Sequence, residues 1–280
     1  MAEQACVIGA GTMGVGIAYA FAAAGFETTV VEPSRTQVSA ATALLEQVSR
    51  DGVRRSKLTE AQAAKLLDSV NIVSAVSEIP LGCAMVVESV PERLELKIEI
   101  LQAAETRAPR ILATNTSALS VEELAKQLEH PEAFLGAHFF NPVWALHLVE
   151  LVVATSTSEA TLGAARDIVE KLGKEAAVVH DSPGFATSRL DLVASLEAMR
   201  MVEAGVASAE DIDRAMRLAY RHPVGPLKLS DIVGLDVRLD ISRNLAPLLG
   251  PGFEPPQILI DLVERGDLGQ KSGQGFYAWP

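Results

Sequence analysis

Up to Ala154 the chain alternates short apolar runs with longer stretches of helical character. Cys6-Val7-Ile8 reads as a strand, and an Ala-rich helix follows Gly14. Residues 27–32 form a second strand, 35–49 a helix, and Thr59-Glu60-Ala61-Gln62 the start of another. Further strands are predicted at 71–73, 85–90 and 110–115, with helices at 94–104 and 121–128 between or after them. The runs 134–140 and 146–154 read as the last strands of this half. Strands that take turns with helices argue for a mostly parallel sheet covered on both faces. After Asp181-Ser182-Pro183-Gly184 the pattern is helical only. One helix spans 185–203 and is closed by Gly205; Ser208 caps the next, whose apolar stripe is Ile212, Ala215, Met216 and Ala219. Two more are expected at 226–248 and 256–265. The expectation is an α/β chain: a doubly wound sheet domain over 1–182, then a smaller all-α domain over 183–280.

The first strand runs straight into Gly9-Ala10-Gly11-Thr12-Met13-Gly14. In a Rossmann-type fold Gly9 allows the tight turn, Gly11 leaves room for a pyrophosphate, and Gly14 lets the helix pack on its strand. The helix N-terminus then offers unpaired N–H groups to the phosphates. Glu32 ends the second strand, where a carboxylate holds the adenosine ribose hydroxyls and repels a 2′-phosphate. This favours NAD over NADP, with Arg35 the one nearby cation able to turn towards a phosphate. The alternative is a glycine turn and a surface acid in an α/β protein that binds no nucleotide.

Ligands of such sheets bind beyond the carboxyl ends of the strands. That edge gathers Ser89-Val90-Pro91-Glu92, Asn115-Thr116-Ser117 and His138-Phe139-Phe140-Asn141-Pro142 beside the glycine turn. Glu150 lies within the apolar run Leu148-Val149-Glu150-Leu151-Val152-Val153 and needs a partner if buried. His138 precedes it across a turn, and neighbouring strands would bring the two together. A His–Glu pair makes a general base; the other reading is a carboxylate that only braces a loop. Ser117 either meets a substrate oxygen or caps a helix. Ser120, followed by Glu123, fits the cap better.

Composition narrows the partners. The hydrophobic fraction of 49% is ordinary for a globular protein, and the formal net charge of −12 gives no basic face for nucleic acid. The two cysteines, Cys6 and Cys83, form neither a disulfide framework nor a metal site, which fits a reducing cytoplasm. No histidine cluster has metal-ligand spacing. Met-Ala-Glu-Gln enters a strand at once, leaving no room for a signal peptide, and the apolar run 17–24 is too short to span a bilayer. A small helical domain has apolar faces that a second copy would cover, so a homodimer is expected.

Several motifs together resemble the 3-hydroxyacyl-CoA dehydrogenase family, including its bacterial 3-hydroxybutyryl-CoA members. They are the glycine turn, Asn115-Thr116-Ser117, His138-Phe139-Phe140-Asn141-Pro142-Val143, Leu148-Val149-Glu150, Asp181-Ser182-Pro183-Gly184-Phe185, His222-Pro223-Val224-Gly225-Pro226-Leu227, and Lys271-Ser272-Gly273-Gln274-Gly275-Phe276-Tyr277. They stand in the family's order and cover the whole chain. The resemblance implies NAD-dependent oxidation of an (S)-3-hydroxyacyl-CoA to the 3-keto ester. His138 matches the general base, Glu150 its paired acid, and Ser117 the residue touching substrate and nicotinamide. Glu92, Lys97, Asn141 and Lys271 match positions that contact the cofactor. Arg50, Arg54, Arg55 and Lys57 lie where the family's helical arm meets the CoA phosphates; a solvated helix face is the competing reading. The helical domain would be the family's dimerisation domain. Ser188 stands where the family usually carries an Asn that helps hold the substrate, and Trp144 where a smaller residue is usual. Relatives acting on free hydroxy acids such as gulonate or carnitine share the architecture. A nucleotide-binding protein without turnover is the reading from outside the enzymes.

Overall fold

The computed structural model describes residues 2–280. The chain divides after Ser182 into two units, each with its own core. In the first, eight strands form one sheet in the order β3-β2-β1-β4-β5-β6-β7-β8. They are β1 Gln4–Ile8, β2 Glu27–Val31, β3 Val70–Val73, β4 Met85–Glu88, β5 Leu112–Thr114, β6 Phe134–Phe139, β7 Leu148–Val153 and β8 Glu175–His180. All neighbouring pairs are parallel except β6 and β7, which run antiparallel.

The helices of this unit are α1 Thr12–Ala23, α2 Arg35–Arg54, α3 Glu60–Asp68, α4 Leu94–Glu105, α5 Val121–Ala125 and α6 Glu159–Lys171. Helix α1 brings small residues to the sheet, with Gly14, Gly16, Ala18, Ala20 and Ala22 all buried. That lets Ile17 and Phe21 reach the core, where Phe21 meets Phe26 edge-on at 5.3 Å. Thr59 starts α3 with a capping box to Gln62, and Ser120 caps α5 by accepting from Glu123 N. Asp181 reinforces that cap: its carboxylate accepts from Ser120 Oγ at 2.6 Å and Glu122 N at 2.8 Å.

Three sequence expectations are corrected. The run 146–154 is not the last strand, since α6 and β8 follow it. Helix α2 continues past residue 49 to Arg54, which carries Arg50 and Arg54 onto the helix. The expected helix over 226–248 is two helices, α9 Pro226–Val233 and α10 Leu235–Leu249. Gly234 between them has φ +107°, a conformation that no helix contains.

The second unit holds α7 Thr187–Glu203, α8 Ala209–Tyr220, α9, α10 and α11 Gln257–Arg265. Leu192, Leu196, Met199, Leu227, Leu235 and Leu259 form the centre of its core. Two buried carboxylates fasten the C-terminal segment to it. Asp231 accepts from Phe276 N, Tyr277 N and Trp279 Nε1, each at 2.9 Å. Asp213 accepts from Leu227 N, Lys228 N and the Tyr277 hydroxyl. Burial, and then that bond to Asp213, push the Tyr277 phenol well above its ordinary range.

Candidate active site

The carboxyl ends of the parallel strands open into a cleft of about 830 Å³. Its walls are the glycine turn, Glu32 and the residues after it, the loop 89–92, and Asn115 with Ser117. Gly9 has φ +102°, and a Cβ there would lie 2.7 Å from Ser89 O. A Cβ on Gly11 would meet nothing within 4 Å, so the backbone there faces open space. Gly11 N-caps α1 without a side-chain hydrogen bond. The N–H groups of its first turn therefore lack an intrahelical partner beside Thr12 and Met13, which line the cleft. These features fit a dinucleotide pyrophosphate.

Glu32 sits across the cleft. Its Oε2 accepts from Ala10 N at 3.2 Å and its Oε1 from Ser34 N at 2.9 Å, which fixes the carboxylate against the turn. Each oxygen has a second lone pair for a ribose hydroxyl. Gln37, which the sequence reading did not single out, donates from Nε2 to Ala10 O at 2.8 Å and secures the same turn.

On the other side, β6 and β7 place His138 directly opposite Glu150 in register. His138 Nδ1 lies 2.8 Å from Glu150 Oε2; Glu150 is fully buried and His138 nearly so. The Phe140 ring tilts against the imidazole with centroids 4.4 Å apart. Asn115 joins this pair to the cleft: its Oδ1 accepts from Phe139 N at 2.8 Å while its own residue lines the cleft wall.

Glu92 lines the cleft and binds the segment that carries Ser117. Its Oε1 accepts from Thr116 Oγ1, from Ser117 N at 3.0 Å and from Ala118 N at 3.1 Å. Burial alone would raise the Glu92 carboxyl, but the Lys97 charge and the bonds from Thr116 and Ser117 together hold it below its ordinary range. Lys97, matched to a cofactor-contacting position, is not among the residues that line the cleft. It is fully buried, and its ammonium lies 2.7 Å from Glu88 Oε1 and 3.2 Å from Glu92 Oε2. Glu88, Thr114 and Thr116 are buried polar residues of this cluster that the sequence reading did not assign.

The remaining candidates lie on several separate elements. Asn141 is exposed on the turn after β6, at the start of a cis peptide to Pro142. Trp144 packs towards α1 beside Val143, which a Cβ on Gly16 would touch. Lys174 donates to the carbonyls of Val143 at 2.5 Å and Leu146 at 2.7 Å, and partial burial lowers its ammonium below the usual lysine range. Arg50 pairs with Glu46 at 3.3 Å and Arg54 with Asp51 at 3.0 Å on exposed α2, with Arg55 and Lys57 just beyond the helix. In the helical unit Ser188 is half-buried on the first turn of α7, and Lys271 pairs with Asp236 at 2.6 Å. Among the described residues no group of three His, Cys, Asp or Glu could hold a metal ion, and no helix is long and apolar enough to cross a membrane.

A cleft shaped for a dinucleotide, with a carboxylate-held imidazole on the neighbouring strand pair, is the equipment of a nicotinamide-dependent dehydrogenase. The chain belongs to the 3-hydroxyacyl-CoA dehydrogenase family: residues 4–182 match its NAD-binding domain and 184–279 its C-terminal domain. It is similar to a 3-hydroxybutyryl-CoA dehydrogenase of Mycobacterium tuberculosis, at 37% identity over 99% of this chain and 98% of that one. The mitochondrial hydroxyacyl-coenzyme A dehydrogenase of Rattus norvegicus is 35% identical, over 99% of this chain and 91% of that one. The crystal structure of an (S)-3-hydroxybutyryl-CoA dehydrogenase from Ralstonia eutropha superposes with a TM-score of 0.94 at 33% identity, covering 100% of both chains. The enzyme class and the NAD requirement expected from the sequence therefore stand.

Proposed function

We propose that this enzyme oxidises the 3-hydroxyl of a short (S)-3-hydroxyacyl-CoA, with His138 as general base and Glu150 as the group that orients it. The carrying observation is the 2.8 Å contact between His138 Nδ1 and Glu150 Oε2 at paired positions of β6 and β7. With Nδ1–H donated to the carboxylate, the proton-accepting lone pair of the ring is on Nε2. In the forward direction Nε2 takes the substrate hydroxyl proton, and the buried carboxylate stabilises the imidazolium that results. In the reverse direction the imidazolium returns that proton to the keto oxygen. Bound NAD supplies the hydride acceptor. The first turn of α1 holds its pyrophosphate, Glu32 its ribose, and the Ser117 hydroxyl a hydrogen bond to the substrate oxygen. Asn141, Ser188 and Lys271 are assigned to ligand contacts on the family's pattern alone.

The short acyl chain is favoured by the names of the relatives. The CoA phosphates are assigned to Arg50, Arg54, Arg55 and Lys57. The ion pairs that Arg50 and Arg54 now make are exposed and weak, so a phosphate can displace them at little cost. A homodimer through the helical unit would cover Leu190, Leu218, Tyr220, Ile232, Val233 and Leu248, all exposed in the single chain. Two unpaired, buried cysteines support a cytoplasmic site of action.

The test is NADH formation from (S)-3-hydroxybutyryl-CoA, from longer acyl esters and from free 3-hydroxybutyrate, with wild type and His138→Asn. Wild type is expected to turn over the CoA esters and not the free acid. His138→Asn should lower kcat by about 10²–10⁴-fold with NADH affinity unchanged. A variant with wild-type turnover removes His138 from the chemistry, and a wild type active only on the free acid removes CoA from the substrate.

A further inference from the structure

We propose that Glu88 is a positioning residue, which acts on the cofactor and on Ser117 through Lys97 and Glu92 and touches neither itself. The proposal rests on the reading of Ser117 as a contact to substrate and nicotinamide.

The geometry is a relay of charges leading from the end of β4 to the cleft wall. Both side chains of the Glu88–Lys97 pair are completely buried, with Nζ 2.7 Å from Oε1. Glu88 Oε1 also accepts from Val90 N at 2.7 Å, and its Oε2 from Thr114 Oγ1 at 2.6 Å. The carboxylate is thus tied to its own loop and to the neighbouring strand β5. The Lys97 ammonium has three donors. The ammonium faces Glu88 Oε1, Glu92 Oε2 at 3.2 Å and Val90 O at 3.3 Å. Glu92 in turn spends its Oε1 on Thr116, Ser117 and Ala118. Its two oxygens therefore hold Lys97 on one side and the Ser117 segment on the other.

Stability alone is a poor reason for this cluster. A buried ion pair seldom outweighs a well-packed apolar replacement, because desolvation cancels most of the attraction. What it does provide is direction: fixed donors and acceptors that locate a loop to a fraction of an ångström, the tolerance a reacting group requires. Without Glu88 the ammonium has only Glu92 as an anionic partner and draws that carboxylate away from the amides of 117 and 118. Ser117 and the cleft wall at 89–92 then move together.

The experiment measures NADH affinity by fluorescence and kcat at saturating NAD for wild type, Glu88→Gln, Ser117→Ala and the double variant. Glu88→Gln is expected to weaken NADH binding and lower kcat by about tenfold each, the size of coupling usual between residues of one polar network. The double variant should be no slower than Ser117→Ala, because both changes remove the same alignment. Wild-type kcat and NADH affinity in Glu88→Gln overturn the proposal, as do losses in the double variant that multiply. If Glu88→Gln does not fold, Thr114→Val removes one of the three bonds to Glu88. It should shift both quantities the same way by about threefold, and wild-type values then overturn the proposal. A wild type that binds NADH but turns over no hydroxyacyl-CoA counts against the function reading instead, and the NADH arm still decides the role of Glu88.

Discussion

Glu150→Gln separates catalysis from bracing at the centre of the site. Glutamine keeps the shape of the side chain, and its carbonyl oxygen can still accept from His138 Nδ1 at the present 2.8 Å separation. What it loses is the charge facing the imidazolium. A hydrogen bond to a charged group contributes about 1.5–3 kcal/mol against about 0.5–1.5 for a neutral one, so the smallest expected loss is about 1 kcal/mol. The largest is the Coulomb energy of unit charges about 4 Å apart, roughly 4 kcal/mol at an effective dielectric of about 20. Because Glu150 is fully buried, the upper half of that interval applies. At about 1.4 kcal/mol per decade, kcat should fall about 60- to 700-fold. The assay is steady-state NADH production at saturating NAD and hydroxyacyl-CoA, with NADH affinity and the denaturant midpoint measured on the same preparation. NADH affinity should not change, since Glu150 lies outside the cleft wall. A kcat within about twofold of wild type, with only the midpoint displaced, would show that the carboxylate merely braces the strand pair.

Glu32→Ala should weaken NAD binding by about tenfold or more, as hydrogen bonds to a carboxylate are lost, and should raise the relative use of NADP; an unchanged ratio of kcat/KM for the two cofactors refutes the ribose assignment. Gly16→Ala places a methyl group 2.8 Å from Val143 Cγ2, and overpacking of this kind costs about 1–3 kcal/mol in chemical denaturation. Wild-type stability would mean that the loop after β6 yields freely. Glu92→Gln should flatten the loss of stability in acid. The Glu92 carboxyl is held below its ordinary value of 4.5, so the unfolded chain binds the extra proton and stability drains away as pH falls through the folded value. Parallel acid-denaturation curves for wild type and variant would contradict this.

Most of the sheet was legible because buried parallel strands are short apolar runs with turn residues at their ends. β8 was not: Glu175-Ala-Ala-Val-Val-His is an edge strand with no buried residue. The break at Gly234 was hidden because the residues on either side carry the same helical pattern. His138 and Glu150 could be paired from sequence, since a buried acid inside an apolar strand has to find a partner within reach of a neighbouring strand. Glu88 could not, because a polar residue at a strand end looks like the start of any loop. The burial of Lys97 was hidden for a related reason. Its position on α4 fits a contact to the cofactor, and only the structure shows that it is fully buried against Glu88.

Gly16 lies one turn along the helix whose first amides are proposed to hold the dinucleotide, and it seats Val143 in the connection between the strands of His138 and Glu150. The two halves of the site therefore lean on neighbouring turns of a single short rod. A lineage that gains a methyl at position 16 must shed bulk at 143, and a connection transplanted from a relative must bring along the matching face of this helix. Variation in this part of the chain is expected to travel in pairs.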